Sequence, residues 1–193
     1  MPRPVEWTAI EKLLLDAATS GLATFAAAHP SEVFYGAVID VEPYDGCSVS
    51  LHLNTEQHLT SEHDGRPVAA DDLRSRFLPG AFGFTIPLTE TDAFPDAAIE
   101  AQVERDLADP NAADDDPKTA TFKLLEIACS VAFALEYGAL TKLARTPDFT
   151  IAVTRDPREP GELSVARYAK FKKQLRARRR SDPALIPKPK SGV

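Results

Sequence analysis

Residues 33–54 constrain this chain more than any other stretch. Val33-Phe34-Tyr35-Gly36-Ala37-Val38-Ile39-Asp40-Val41 is apolar on both parities and rich in β-formers, which predicts a central strand. Glu42-Pro43-Tyr44-Asp45-Gly46 supplies a turn. In the next strand Cys47, Val49, Leu51 and Leu53 fall on one side, and Ser48, Ser50, His52 and Asn54 on the other. A period of two implies an antiparallel hairpin with one oily and one polar face. Phe82, Phe84 and Ile86 repeat the alternation, as do Phe149, Ile151 and Val153, so an antiparallel or mixed sheet of at least four strands is expected.

Helices must cover the oily face. Trp7, Ile10, Leu14, Ala17, Ala18, Leu22 and Phe25 recur at helical spacing. Thr8 and Glu11 fit a capping box, Pro4 is a competing start, Gly21 weakens the middle, and His29-Pro30 closes the helix. A helix over 117–137, with Asp116 as its cap and Gly138 at its end, is apolar nearly all round and should be buried. Shorter helices fit 71–78 and 94–107, and a last one, about 162–179, turns basic toward its end. The expectation is a single two-layer α+β domain over residues 1–180, followed by a flexible Pro/Lys-rich tail over 181–193.

Charge divides the chain. Residues 1–166 hold 12 Lys/Arg against 28 Asp/Glu, whereas 167–193 hold 10 Lys/Arg against Asp182 alone, within a net charge of −7. An acidic body with a basic end can contact nucleic acid through that end, or fold the end onto itself. The cluster Lys170, Lys172, Lys173, Arg176, Arg178, Arg179 and Arg180 could grip phosphates, with Tyr168 or Phe171 stacking on bases. The acidic body would repel a polyanion beyond a small footprint, so nucleic acid is disfavoured. No run reaches the length of a membrane span and the N-terminus lacks a secretory apolar stretch, so a cytoplasmic chain without a membrane partner is expected.

Chemical motifs are sparse. His52, Glu56, His58, Glu62, His63 and Asp64 are the densest group of metal-ligand types, but they show no His-Glu-x-x-His spacing and read as a solvated loop. Asp106, Asp109, Asn111, Asp114, Asp115 and Asp116 lack the glycine and closing glutamate of a calcium loop. Cys47 and Cys129 sit on apolar faces and read as core residues. Glu100 and Glu104 share an exposed helix face. No catalytic residue, cofactor or metal is assigned. The polar sheet face is the candidate interaction surface: Ser48, Ser50, His52, Asn54, Glu56, Thr85, Thr150 and Thr154.

Phe34-Tyr35-Gly36-Ala37-Val38-Ile39-Asp40, then Leu51-His52-Leu53-Asn54-Thr55-Glu56, resembles the bacterial family catalogued as domain of unknown function 4303. Phe77-Leu78-Pro79-Gly80-Ala81-Phe82 stands where members tend to carry a tryptophan-bracketed Ser-Pro segment, and Thr150-Ile151-Ala152-Val153-Thr154-Arg155-Asp156-Pro157 resembles their late strand. The resemblance spans residues 5–178 and brings no assigned mechanism. By analogy it implies the company of toxin-immunity proteins. The resulting expectation is a non-enzymatic, immunity-like module that binds another bacterial protein. The alternatives are a hydrolase or metal enzyme using His52, Glu56 and His58, and weak nucleic-acid binding through residues 167–180.

Overall fold

The hairpin of residues 33–54 forms the middle of the sheet. The structure, a computed structural model, describes residues 5–44, 47–90, 93–109, 116–156 and 159–181. In chain order these form α1 (Trp7–Ala28), β1 (Val33–Glu42), β2 (Ser48–Thr55), α2 (Glu56–Glu62), α3 (Leu73–Arg76), β3 (Phe84–Pro87), α4 (Asp96–Ala108), α5 (Ala120–Glu136), β4 (Ala144–Thr154) and α6 (Gly161–Ser181). The sheet order is β3-β2-β1-β4. β1 runs antiparallel to β2 and parallel to β4, so the fold is α+β around a mixed sheet of four strands. Apart from Ser181, the expected tail lies outside the described residues.

One face of the sheet carries the main core. Ala37, Ile39 and Val41 of β1 and Val49, Leu51 and Leu53 of β2 meet Ile10, Leu14, Ala18 and Leu22 of α1 and the apolar girdle of α5. Each such Leu or Ile, fully buried, contributes about 1.5–3 kcal/mol. Residues 120–142 are apolar enough to pass as a membrane span by composition, but α5 within them is the core helix, with eleven buried residues.

Several caps differ from the sequence reading. α1 begins after Glu6 without a side-chain cap, and Glu11, expected in a capping box with Thr8, instead accepts a hydrogen bond from the Ser130 hydroxyl of α5. A partner on a facing helix outcompetes the local box. α5 starts three residues later than expected: Thr119, not Asp116, caps it by accepting from the Phe122 N–H. Asp106, expected as a loop acid, accepts the Ala120 N–H at 2.6 Å from the end of α4. The helix expected over 71–78 shrinks to one turn capped by Asp72. Residues 56–62, expected as a solvated loop, form α2, because Thr55 caps it through the His58 N–H and Leu59 anchors it.

A bulge organises the second face. Phe34 pairs with Thr55 and Gly36 with Asn54, so Tyr35 is an extra residue in β1. Phe34 therefore stays in the main core while Tyr35 turns to the far side. There Tyr35, Val38 and Ala152 pack under Leu59 of α2 and Phe77 beside α3 in a smaller cluster. Phe82, expected beside Phe84 and Ile86, joins this far cluster because the chain bends at Gly83 before β3 begins. α6 packs along the β4 edge, and its Arg167 donates to the Val153 carbonyl at 2.7 Å, covering backbone that an edge strand otherwise exposes.

Two glycines allow close approach. A Cβ on Gly21 would lie 2.5 Å from Ile86 Cγ2, so the residue expected only to weaken α1 lets that helix press on β3. A Cβ on Gly36 would lie 2.8 Å from the Phe77 ring. Gly36→Ala is expected to cost about 1–3 kcal/mol in urea unfolding through overpacking. Adding Phe77→Leu should recover part of that loss; simple additivity of the two substitutions would show that the ring is not the obstacle.

Candidate functional site

The cross-strand register decides which polar side chains share the far face of the sheet. Thr85, His52, Val38 and Ala152 form one row across the four strands, and Pro87, Ser50, Asp40 and Thr154 form the next. Asn54, Gly36 and Thr150 make a third. Asp40, hidden in sequence within an apolar strand, therefore stands in the middle of the polar face.

Two residues of the expected surface are sealed. Asn54 and Thr154 are completely buried. The Asn54 amide donates to the Tyr35 hydroxyl at 3.0 Å and to the Ala81 carbonyl at 3.2 Å, tying the 77–83 loop to the sheet. The Thr154 hydroxyl lies between the Asp156 carbonyl, 2.8 Å away, and a Glu159 carboxylate oxygen at 2.9 Å. Thr150 is half-buried and donates to the Asp148 carbonyl. Glu56 is held by Arg76, a buried guanidinium that forks onto its carboxylate and stacks 4.1 Å from the centre of the Tyr35 ring. Asn54, Thr154 and Glu56 thus tie the 77–83 loop, the chain leading into α6, and α3, respectively, to the sheet side, but only Asn54 and Thr154 are closed to solvent; Glu56 stays exposed. Ser48, Ser50 and Thr150 are half-buried and Glu56 and Thr85 exposed, so the open part of the face lies mainly over β2 and β3.

At its border His52 and Asp40 meet. His52 Nδ1 lies 3.1 Å from the Thr85 hydroxyl and Nε2 lies 3.9 Å from Asp40 Oδ2. Oδ1 of Asp40 is buried and has no hydrogen-bond partner among the described residues. Burial, reinforced by the negative charges of Glu42, Asp156 and Glu159, pushes the Asp40 carboxyl up to about 7 despite the Val41 N–H. Burial also lowers His52 to about 4. The separation alone would admit an ion pair, but desolvation drives both groups toward their neutral forms, and the loss of hydration outweighs an attraction at 3.9 Å. The result is a neutral imidazole beside a carboxyl poised to release its proton near neutrality.

The other sequence candidates are dispersed. His58 and Glu62 face each other on α2 at 3.8 Å, and the His58 ring lies against Gly83, while Glu56 is taken by Arg76. No group of three or more His, Cys, Asp or Glu side chains is placed to hold a metal among the described residues. Both cysteines are buried, and burial pushes each thiol up to about 12. Of the calcium-type residues, Asn111, Asp114 and Asp115 lie outside the described residues.

The basic helix turns part of its charge inward. Lys172 binds the Glu136 carboxylate at 2.6 and 2.9 Å, and Arg176 donates to the Tyr137 hydroxyl at 2.8 Å. Tyr168, expected to stack on bases, is buried and donates to Glu136, and Phe171 packs on the main core. Lys170 and Lys173 stay exposed, and the side chains of Arg178, Arg179 and Arg180 lie outside those described. Arg167 forks onto Glu159. Burial alone would raise Glu159, but these hydrogen bonds and the guanidinium charge bring it below the usual carboxylate range.

On α4, Asp96, Glu100 and Glu104 fall four apart on one stripe that borders the buried Ile99 and Val103; Asp96 and Glu104 are exposed, whereas Glu100, expected on an exposed face, is half-buried. None of the three forms an ion pair among the described residues, and Leu107, one turn beyond Glu104, is 62% exposed. No protein-family model, curated protein or solved structure matches the chain.

The Asp40–His52 pair fixes a pH signature. Folding raises Asp40 from 3.8 to about 7, so across that window the folded chain holds the extra proton and stability falls as pH rises. His52, lowered from 6.5 to about 4, has the opposite sign: its cost appears as pH falls through that window, and the two slopes largely offset there. Asp40→Asn removes one of them. Its stability relative to the parent chain should rise by about 2–4 kcal/mol from pH 4 to pH 8 in urea titrations, whereas parallel profiles would show an ordinary carboxyl at residue 40.

Proposed function

We propose that this chain is a protein-binding module of the immunity type, which meets a basic bacterial protein through acidic surface. The observation that carries this reading is the uneven pairing of charge. Three cations of α6, Lys172, Arg167 and Arg176, are committed to Glu136, Glu159 and Tyr137. On α4, beside an exposed leucine, Asp96 and Glu104 are exposed and Glu100 is half-buried between them, and none of the three pairs with a cation among the described residues. Complementary charge of this kind steers encounter and selects partners more than it adds affinity, while an apolar anchor at its end supplies contact area. The motif resemblance to a family in the style of toxin-immunity proteins supports the same reading.

A second reading, an acid–base hydrolase, draws support from one feature. A carboxyl titrating near 7 beside a neutral imidazole is the pairing that general acid–base chemistry uses. Against it, Asp40 is only 6% exposed. A substrate would have to displace the cover of the far face to reach it.

Affinity capture with the full chain from its native host tests the first reading. The expected result is a stoichiometric basic protein retained at low salt and released as salt rises. With that partner purified, Glu100→Lys with Glu104→Lys should slow association by about tenfold or more. Association that is indifferent both to salt and to this charge reversal would remove the acidic stripe from the interface.

A further inference from the structure

Between α5 and α6 lies a half-open cavity of about 310 Å³ that the protein-binding reading does not use. Its volume is at the lower end of the roughly 300–1,000 Å³ typical of small-molecule sites. The floor is apolar: Leu125 and Cys129 from α5 and Phe171 from α6. The thiol of Cys129 is 3% exposed and protonated at neutral pH, so it adds to the apolar floor as a small hydrophobe.

The rim is charged, and its pairings are uneven. Three cations reach it, Arg155 from the turn after β4 and Arg167 and Lys170 from α6, against the single carboxylate of Glu126. Arg167 is held by Glu159 and the Val153 carbonyl, and Glu126 lies 3.5 Å from Lys123. Arg155 and Lys170 form no ion pair among the described residues. In a body so rich in carboxylates, Lys170 and Arg155, the latter reaching Glu159 only through its field, make a local reversal of charge over an apolar hollow. A guanidinium and an ammonium lining one opening favour an anionic headgroup, and the apolar lining favours an apolar tail.

We infer that this cavity binds a small amphiphilic anion, a carboxylate or phosphate carried on a short apolar chain, with its headgroup between Arg155 and Lys170 and its tail against Leu125, Cys129 and Phe171. The ligand would lie between the core helix and the C-terminal helix. Occupancy would therefore brace α6 against α5, adding to the contact that Glu136 makes with Tyr168 and Lys172.

Calorimetric titration of the full chain with octanoate, octyl phosphate and octanol tests the inference without any protein partner, so its failure leaves the protein-binding reading untouched. Saturable binding of one equivalent of octanoate or octyl phosphate is expected, and the stronger of the two identifies the headgroup. Octanol should bind at least about tenfold more weakly, because it lacks the charge. Lys170→Glu, at an exposed position, and Arg155→Ala should each weaken binding of the anion several-fold while leaving the circular dichroism spectrum unchanged. Phe171→Ala should weaken binding and preserve its salt dependence. Absence of saturable binding by both anions, equal binding of octanol, or unchanged affinity in both charge variants would each overturn the inference.

Discussion

The extra residue at Tyr35 is the constraint on which the rest of this fold depends. Without it β1 would keep strict alternation from Phe34 to Val41, and both aromatics would face the wrong layer, Tyr35 inward and Phe34 outward. The bulge sends Phe34 to the main core and Tyr35 to the opposite side, where its hydroxyl donates to the Arg76 carbonyl at 2.8 Å and accepts from Asn54. The same ring supports the Arg76 guanidinium, which holds Glu56 and so the start of α2. A guanidinium removed from water is costly unless its donors are satisfied. Here the Glu56 carboxylate and the Val68 carbonyl satisfy them, and the aromatic face takes the flat side of the group. One inserted residue thus determines that the sheet has a second cover, and where it sits.

That cover changes what the polar face can be. An uncovered antiparallel sheet would leave its Ser, Thr and His side chains in water, where each keeps its ordinary chemistry. Partial covering instead places Asp40 and His52 at a boundary, close enough to lose hydration and too far apart to replace it fully. Asp40 carries the larger burden because neighbouring carboxylates add to the effect of burial. The body's excess of acid has a cost wherever one of those acids is drawn inward.

Much of the architecture was legible in sequence because it follows from period. Alternation at Cys47–Leu53 specifies the register of β2, and the all-round apolarity of α5 specifies a core helix; both survive in the structure. Features set by contacts distant in sequence were not legible. Asp40 looks like a lapse in an apolar run until the register places it beside His52. Glu56 reads as a possible ligand until Arg76, 20 residues away, claims it. Glu11 reads as a local cap until Ser130, 119 residues away, supplies a partner. Thr119 takes the cap of α5 from Asp116 because the chain enters the helix extended at Thr119, with its hydroxyl three residues before the N–H it satisfies. For the polar face, the strand pattern correctly marks which side chains are polar but does not tell which of them meet water, because α2 is a helix its sequence barely announces.

The basic end shows the same limit from the other direction. A run of cations in sequence looks like a single feature with a single purpose, yet a helix distributes it around a circle. Lys172 and Arg176, four apart, face Glu136 and Tyr137, while Lys170 and Gln174, also four apart, face the cavity. The inward stripe anchors α6 to the core helix, and that anchoring brings Lys170 to the cavity that Arg155 also lines. A structural use of some charges thereby creates the position of another, and the pairing that neutralises Glu136 is what leaves a cation unpaired beside an apolar hollow. Which of these charges is tied to the core helix and which stays at the cavity follows from the face of α6 it occupies, not from its membership of the run.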